Sequence, residues 1–370
     1  MRVLVLSVTA GYGHISTAKA IADEFTARGI DVHVEDLYQQ ISRITYDIID
    51  NGYLFTVKHF QNGFKHAYQQ MENSEAMRKL SSFFTSNTFI AHKLARHLHD
   101  YMPDVIISTH PFAGQVLNRL KEQHILMIPC IGIITDYCIH PGWEDCGALE
   151  YIVTASELLN YIAQRKNIAP GQIAPLGIPV RPIFRNKHNK VDARRALGLD
   201  EDKETILIMG GSMGYGNMLT NVSAIDRLNS GLQIVCICGN NEKLRKHLTY
   251  LKTNSSIVVK GFVDNVDIYM DAADCIVTKP GGLTVTEALC KKLPMILVNP
   301  IPGHEEHNID FLMNNGAAIR VTSTFSISEA VYYLFENPGR LALMSRSIEL
   351  VAKPDAAERI CDLAQSLCRT

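Results

Sequence analysis

The chain has 370 residues, 46% hydrophobic and 20% charged, with a formal net charge of -2. That length suits two domains of ordinary size better than one, and the composition is that of a folded protein, which excludes a disordered chain and one that coats nucleic acid. No apolar run reaches the roughly 18 to 20 residues of a spanning helix, and Val3 to Ala10 is too short and polar-flanked for a signal peptide, so the expected location is the cytoplasm.

The first element is a strand over Val3–Val8, broken by Ala10-Gly11-Tyr12-Gly13-His14 and followed at once by an amphipathic segment. The two glycines resemble half of a dinucleotide fingerprint, but Gly11-Tyr12-Gly13-His14-Ile15-Ser16 lacks the third. His14 is then either a helix-start residue bonding a nearby carbonyl or a reactive group. From Tyr53 to Arg96 the strand signal fades, and six basic residues stand against two acids. Within that stretch Phe60, Phe64 and Tyr68 recur at four-residue spacing beside Lys65, a pattern that fits either an ordinary packed helix or an element lying on an anionic membrane surface.

Further strands are expected at Asp104–Thr109, Met127–Ile133 and Tyr151–Thr154, and in the second half at Thr205–Met209, Gln233–Ile237, Ile257–Val259, Cys275–Thr278 and Met295–Val298. They read as continuous apolar runs alternating with helical segments, the pattern of buried parallel strands in an α/β protein. Gly177 to Lys190, rich in proline and charge and without period, separates the two series. The expected division is therefore an N-terminal domain over 1–178, a linker over 179–203 and a C-terminal domain over 204–353, each Rossmann-like. Ligands of such open sheets bind beyond the carboxyl ends of the strands, so the loops after strands are the places to search.

Three of those loops stand out. Lys279-Pro280-Gly281-Gly282-Leu283-Thr284-Val285-Thr286-Glu287 ends a strand and opens a helix whose free amides suit a phosphate. Glu287 is there either a capping-box partner of Thr284 or an acceptor for a ribose diol. Gly210-Gly211-Ser212-Met213-Gly214-Tyr215-Gly216 is a second glycine loop after a strand, matching neither a P-loop nor a dinucleotide fingerprint. Asn299 to Asn308 is a polar third loop, in which Glu305, Glu306 and Asn308 suit sugar hydroxyls better than His304 and His307 suit a metal. Asp200-Glu201-Asp202 precedes a strand and reads as a solvated turn. The nine cysteines contain no C-x-x-C pair, and many lie in apolar stretches, which points to buried reduced thiols.

Taken in order, Gly11-Tyr12-Gly13-His14, Thr135-Asp136-Tyr137-Cys138-Ile139-His140-Pro141-Gly142-Trp143, Gly177 to Pro182, Gly210-Gly211-Ser212, Lys279 to Glu287 and Pro302 to Asn308 resemble the diacylglycerol glycosyltransferases, the monogalactosyldiacylglycerol synthases and processive diacylglycerol glucosyltransferases. A more distant resemblance is to the peptidoglycan enzyme that transfers N-acetylglucosamine to a lipid-linked acceptor.

The resemblance implies a GT-B fold, two Rossmann-like domains facing across a cleft, with a final helix (354–370) returning to the first. It implies inverting, metal-independent hexose transfer from a UDP-sugar to diacylglycerol or a glycosyl-diacylglycerol, with no cofactor, at the inner face of the cell membrane. By the same resemblance, Gly210, Gly211, Ser212, Gly282, Leu283 and Thr284 would hold the diphosphate with Arg181. Glu287 would take the ribose, Phe262 and Val263 the uracil, and Glu305, Glu306 and Asn308 the sugar. His14 or Asp136 would be the base. Gly13, His140, Trp143, Phe60, Phe64 and Lys65 would lie on the acceptor side. A glutamine is commoner where His304 stands, which leaves the hexose open. A different lipid-linked or small acceptor, or a UDP-sugar epimerase on the same fold, are the alternatives.

Overall fold

The computed structural model describes residues 1–9, 12–41, 70, 74, 88–165, 168–211 and 217–368, and the chain divides into two compact units. Unit 1 takes in Met1–Pro182, Ile301–His304 and Lys353–Thr370, and unit 2 takes in Ile183–Pro300 and Glu305–Ala352. Among the described residues no helix is long and apolar enough to cross a membrane.

In unit 1, strands β1 (Arg2–Ser7), β2 (Asp31–Asp36), β3 (Val105–Ser108), β4 (Cys130–Ile133), β5 (Tyr151–Val153) and β6 (Ile173–Ala174) form one parallel sheet in the order β2-β1-β3-β4-β5-β6. The helices between them are α1 (Tyr12–Ala27), α2 (Leu37–Ile41), α3 (Thr88–Tyr101), α4 (Pro111–Glu122) and α5 (Asn160–Arg165). Ala18, Ile21 and Phe25 fall on one face of α1 at helical spacing, and all are fully buried against Val3, Val5, Val105 and Ile107. The last helix of the chain (Ala356–Leu367) adds Ile360, Cys361 and Ala364 to the same cluster. Arg28 fastens it, donating to Asp362 at 2.6 Å, Gln365 at 3.0 Å and the Glu358 carbonyl at 3.0 Å. Gly177, at φ 102, leaves room that a Cβ would fill 2.5 Å from Lys353 Cβ.

Unit 2 begins with α6 (Lys190–Leu197). Its parallel sheet contains β7 (Thr205–Met209), β8 (Gln233–Ile237), β9 (Ser256–Lys260), β10 (Cys275–Thr278), β11 (Met295–Leu297) and β12 (Ala318–Arg320) in the order β12-β11-β10-β7-β8-β9. The covering helices are α7 (Met218–Asp226), α8 (Glu242–Thr249), α9 (Val266–Ala272), α10 (Gly282–Cys290), α11 (His304–Asn314), α12 (Ile327–Phe335) and α13 (Pro338–Glu349), and the last helix is α14. Ile206, Ile208, Ile234, Cys236, Val277 and Ile296 form the centre of the core.

Two expectations change here. The segment 179–203 is not a linker throughout: the chain passes between units at Pro182–Ile183, and α6 lies within it, capped by Asn189 and ended by Gly198 at φ 67. Arg194 of α6 is buried, donating to Asp274 at 2.7 Å and to the Ala272 carbonyl at 3.0 Å. Three strands were also not expected, and β2, β6 and β12 are all edges of their sheets.

The sheet orders fix where a ligand can enter. In unit 1 the chain winds one way from β1 to β2 and the other from β3 onward, so the crevice lies at the carboxyl ends of β1 and β3. In unit 2 the strands follow chain order third-second-first-fourth-fifth-sixth, and the crevice lies between β7 and β10.

Candidate active site

At the unit 1 crevice, His14 stands in the first turn of α1, directly after the β1 loop, whose Thr9 amide and hydroxyl are tied to Asp36 at 2.6 and 2.7 Å. Nδ1 of His14 lies 2.8 Å from the Thr109 carbonyl, just past β3, and 3.1 Å from the Thr135 hydroxyl, past β4. A carbonyl oxygen only accepts, so Nδ1 carries the proton and Nε2 carries the lone pair. Burial pushes the His14 pKa below its ordinary 6.5, opposed by the charge of Asp136 and by the Thr109 carbonyl. The residue as a whole is half-buried. The positive end of α1 acts in the same direction as burial.

His110 meets His14 edge-on, ring centroids 4.5 Å apart. Its Nδ1 accepts the Phe112 amide at 3.1 Å as the cap of α4, and burial holds its pKa well below normal, with His14 and His140 adding to the effect. His140 caps the short turn Pro141–Trp143 by accepting the Gly142 amide at 3.0 Å. Asp136 is half-buried beside this group. Trp143 does not line the crevice: it is 2% exposed, and a Cβ on Gly132 or Gly114 would stand 2.6 or 2.8 Å from its Cζ3. Its indole fills the interior, and the acceptor-side expectation for Trp143 is corrected accordingly. Gly13 is half-buried on α1 with open space where a Cβ would stand.

In unit 2, β7 and β10 pair with Met209 opposite Thr278, so their following loops emerge side by side. Gly210 is buried and Gly211 takes φ 71. After β10, α10 is capped by Gly281 rather than by Thr284, so the capping-box reading of Glu287 falls. Gly282, Leu283 and Thr284 are instead the first three helical residues, whose amides have no acceptor inside the helix. Glu287 is buried farther along α10.

Lys279 Nζ meets Glu305 Oε1 at 2.5 Å, and Asn308 Nδ2 donates to the Pro280 carbonyl at 3.0 Å. Glu305 and Asn308, both buried, thus brace the β10 to α10 loop. Glu306 is half-buried, 3.9 Å from Arg320. Beyond β9, Phe262 is 61% exposed and Val263 half-buried.

Arg181 is half-buried near the end of the first stretch of unit 1. Gly11, Ser212, Phe60, Phe64 and Lys65 lie outside the described residues. All nine cysteines are free thiols, seven of them buried. Among the described residues no three His, Cys, Asp or Glu side chains are grouped to hold a metal ion. The structure adds Thr109, His110, Thr135 and Lys279 to the two sites; Thr135 and Lys279 stood inside motifs the sequence singled out, Thr109 and His110 did not.

The family model for monogalactosyldiacylglycerol (MGDG) synthase matches residues 14–180, and that for the glycosyltransferase family 28 C-terminal domain matches 205–360. Monogalactosyldiacylglycerol synthase 1, chloroplastic, of Arabidopsis thaliana is 33% identical across 100% of this chain and 71% of its own length. The chain belongs to the MGDG synthase family. This family member is a glycosyltransferase. It is also 28% identical to the processive diacylglycerol beta-glucosyltransferase of Bacillus cytotoxicus, over 98% of this chain and 92% of the relative. The crystal structure of MurG from Acinetobacter baumannii covers 99% of both chains with a TM-score of 0.66 at 18% identity. The shared fold is the two-domain α/β GT-B fold.

Proposed function

We propose that this MGDG synthase family member transfers a hexose from a UDP-sugar to the hydroxyl of diacylglycerol or a glycosyl-diacylglycerol at a membrane surface, with inversion and without a metal. The acceptor class follows from the relatives, named as monogalactosyldiacylglycerol synthase and diacylglycerol beta-glucosyltransferase. The observation that carries the chemistry is His14, a neutral imidazole whose Nδ1 is committed to a carbonyl. Nε2 takes the proton of the acceptor hydroxyl as its oxygen bonds to the anomeric carbon. The bond from that carbon to the diphosphate oxygen breaks, its electron pair leaving with UDP.

In unit 2 the reading gives the open amides of Gly282, Leu283 and Thr284, with Gly210 and Gly211, to the diphosphate. Glu287 takes the ribose. Fixed amides and the positive helix end would supply there the stabilisation that a metal supplies elsewhere.

The test offers UDP-glucose, UDP-galactose and UDP-N-acetylglucosamine in turn with diacylglycerol in anionic vesicles. UDP release that depends on diacylglycerol is expected for one of them. Epimerisation of the free UDP-sugar at C2, seen by NMR with no UDP release on adding lipid, overturns the transferase reading.

A further inference from the structure

We propose that Lys279 is the cationic ligand of the departing diphosphate, and that Glu305 is the positioning residue that holds it. This rests on the reading of unit 2 as the donor site.

The Lys279 side chain lies close to both Gly211 and Gly281. Its Cε lies 3.6 Å from where a Cβ on Gly211 would stand, and its Nζ 3.2 Å from the same point on Gly281. Any side chain at Gly281 would therefore crowd the ammonium. Gly281 caps α10, so the ammonium sits beside the amides of Gly282, Leu283 and Thr284. A positive helix end and a lysine cation in one place repel each other unless an anion lies between or beside them.

Within the described residues the carboxylate that meets Lys279 is Glu305, at 2.5 Å and with its side chain 2% exposed, while the lysine side chain keeps 27% exposure. Lys279 also lines a small cavity at the carboxyl ends of β7 and β10, where Met209, Val277 and Val298 stand beside Gly210, Asn221 and Asn299. That is the crevice in which an open sheet takes its ligand. One carboxylate offsets the ammonium and leaves the roughly half positive charge of the helix end, which a diphosphate would meet. A compact ammonium on a flexible stem can bond whichever oxygen gains charge.

As the bond from the anomeric carbon to the β-phosphate oxygen breaks, the electron pair stays on that oxygen. Lys279 keeps its proton and donates a hydrogen bond to the new charge. Glu305 touches Lys279, and it acts by fixing where the ammonium stands.

The rival explanation is that Lys279 exists only to neutralise a buried carboxylate. Calorimetric titration of the full chain with UDP and with uridine separates the two. Wild type is expected to bind UDP more tightly than uridine. Lys279→Met should weaken UDP about ten- to hundredfold and leave uridine within about twofold. Lys279→Met also leaves Glu305 buried and unpaired, so the double variant Lys279→Met/Glu305→Gln should recover thermal stability but not UDP affinity. Recovery of both, or a Lys279→Met protein with unchanged UDP affinity, overturns the role of Lys279 alone. A wild-type protein that binds no UDP overturns the donor reading, and this proposal with it.

Discussion

The Thr109 carbonyl, 95 residues away in sequence, fixes the tautomer of His14. By taking the Nδ1 proton it leaves Nε2 as the basic nitrogen, and burial then keeps that nitrogen unprotonated under mildly acidic conditions. The sign follows directly. A general base works in its neutral form, so activity is lost as pH falls through its pKa, and a lowered pKa moves that loss to the acid side of 6.5. At saturating donor, transfer should hold from pH 8 through 6.5 and decline only below it. His14→Ala should lower kcat by about 10²–10⁴ and abolish the acid limb. A limb centred above 6.5, or one that persists in the alanine variant, would move the base to another group. His14 was legible because it follows a strand and a pair of glycines. Its partners Thr109 and Thr135 were not, since only the sheet order brings the ends of β1, β3 and β4 together. Trp143 misled for a related reason. The resemblance alone put it on the acceptor side, and nothing local shows that Gly114 and Gly132 open a slot for it.

Elements were legible in proportion to their burial. Strands covered on both faces, such as β3, β4, β7 and β10, are uninterrupted apolar runs in the sequence and uniformly buried in the fold. The edge strand β2 reads Asp-Val-His-Val-Glu-Asp and is half exposed, so it carries no continuous apolar run, and its short alternation of Val32 and Val34 with polar residues is a weaker signal than the runs of the buried strands. Helix α6 was hidden for another reason, because its anchor is charged. Arg194 is buried against Asp274, which also takes Lys190 at 2.5 Å and the Thr205 amide at 2.7 Å. One carboxylate thus ties α6 to the first strand of its sheet. Asp274→Ala should cost about 3–5 kcal/mol, chiefly by leaving the guanidinium buried without a counter-charge. Arg194→Leu added to it should recover part of that loss in thermal or urea unfolding. If Asp274→Ala unfolds like wild type, α6 is held by apolar contact alone.

At the scale of the whole molecule, two sheets built on one principle put their openings at a reversal of winding, and the residues the sequence singled out cluster there: Gly13 and His14 in unit 1, Gly210, Gly211 and Gly282 in unit 2. The chain does not divide simply in two, however, because its last 18 residues, from Lys353 to Thr370, belong to unit 1. Helix α14 completes the core under α1, where Ile360 is fully buried with Ile21 and Phe25. The helix that carries His14 is therefore supported by the end of the chain, and unit 1 is whole only after the last residues are in place. Ile360→Ala removes three carbons from that contact, and a loss of about 2–5 kcal/mol is expected from transfer and cavity together. Because α14 packs on unit 1, the loss should be local. Hydrogen exchange of the full chain should quicken in α1, β1 and β3 while β7 and β10 keep their protection. Equal quickening in both sheets would mean that the two units unfold as one, and that α14 stabilises the molecule as a whole rather than the helix bearing His14.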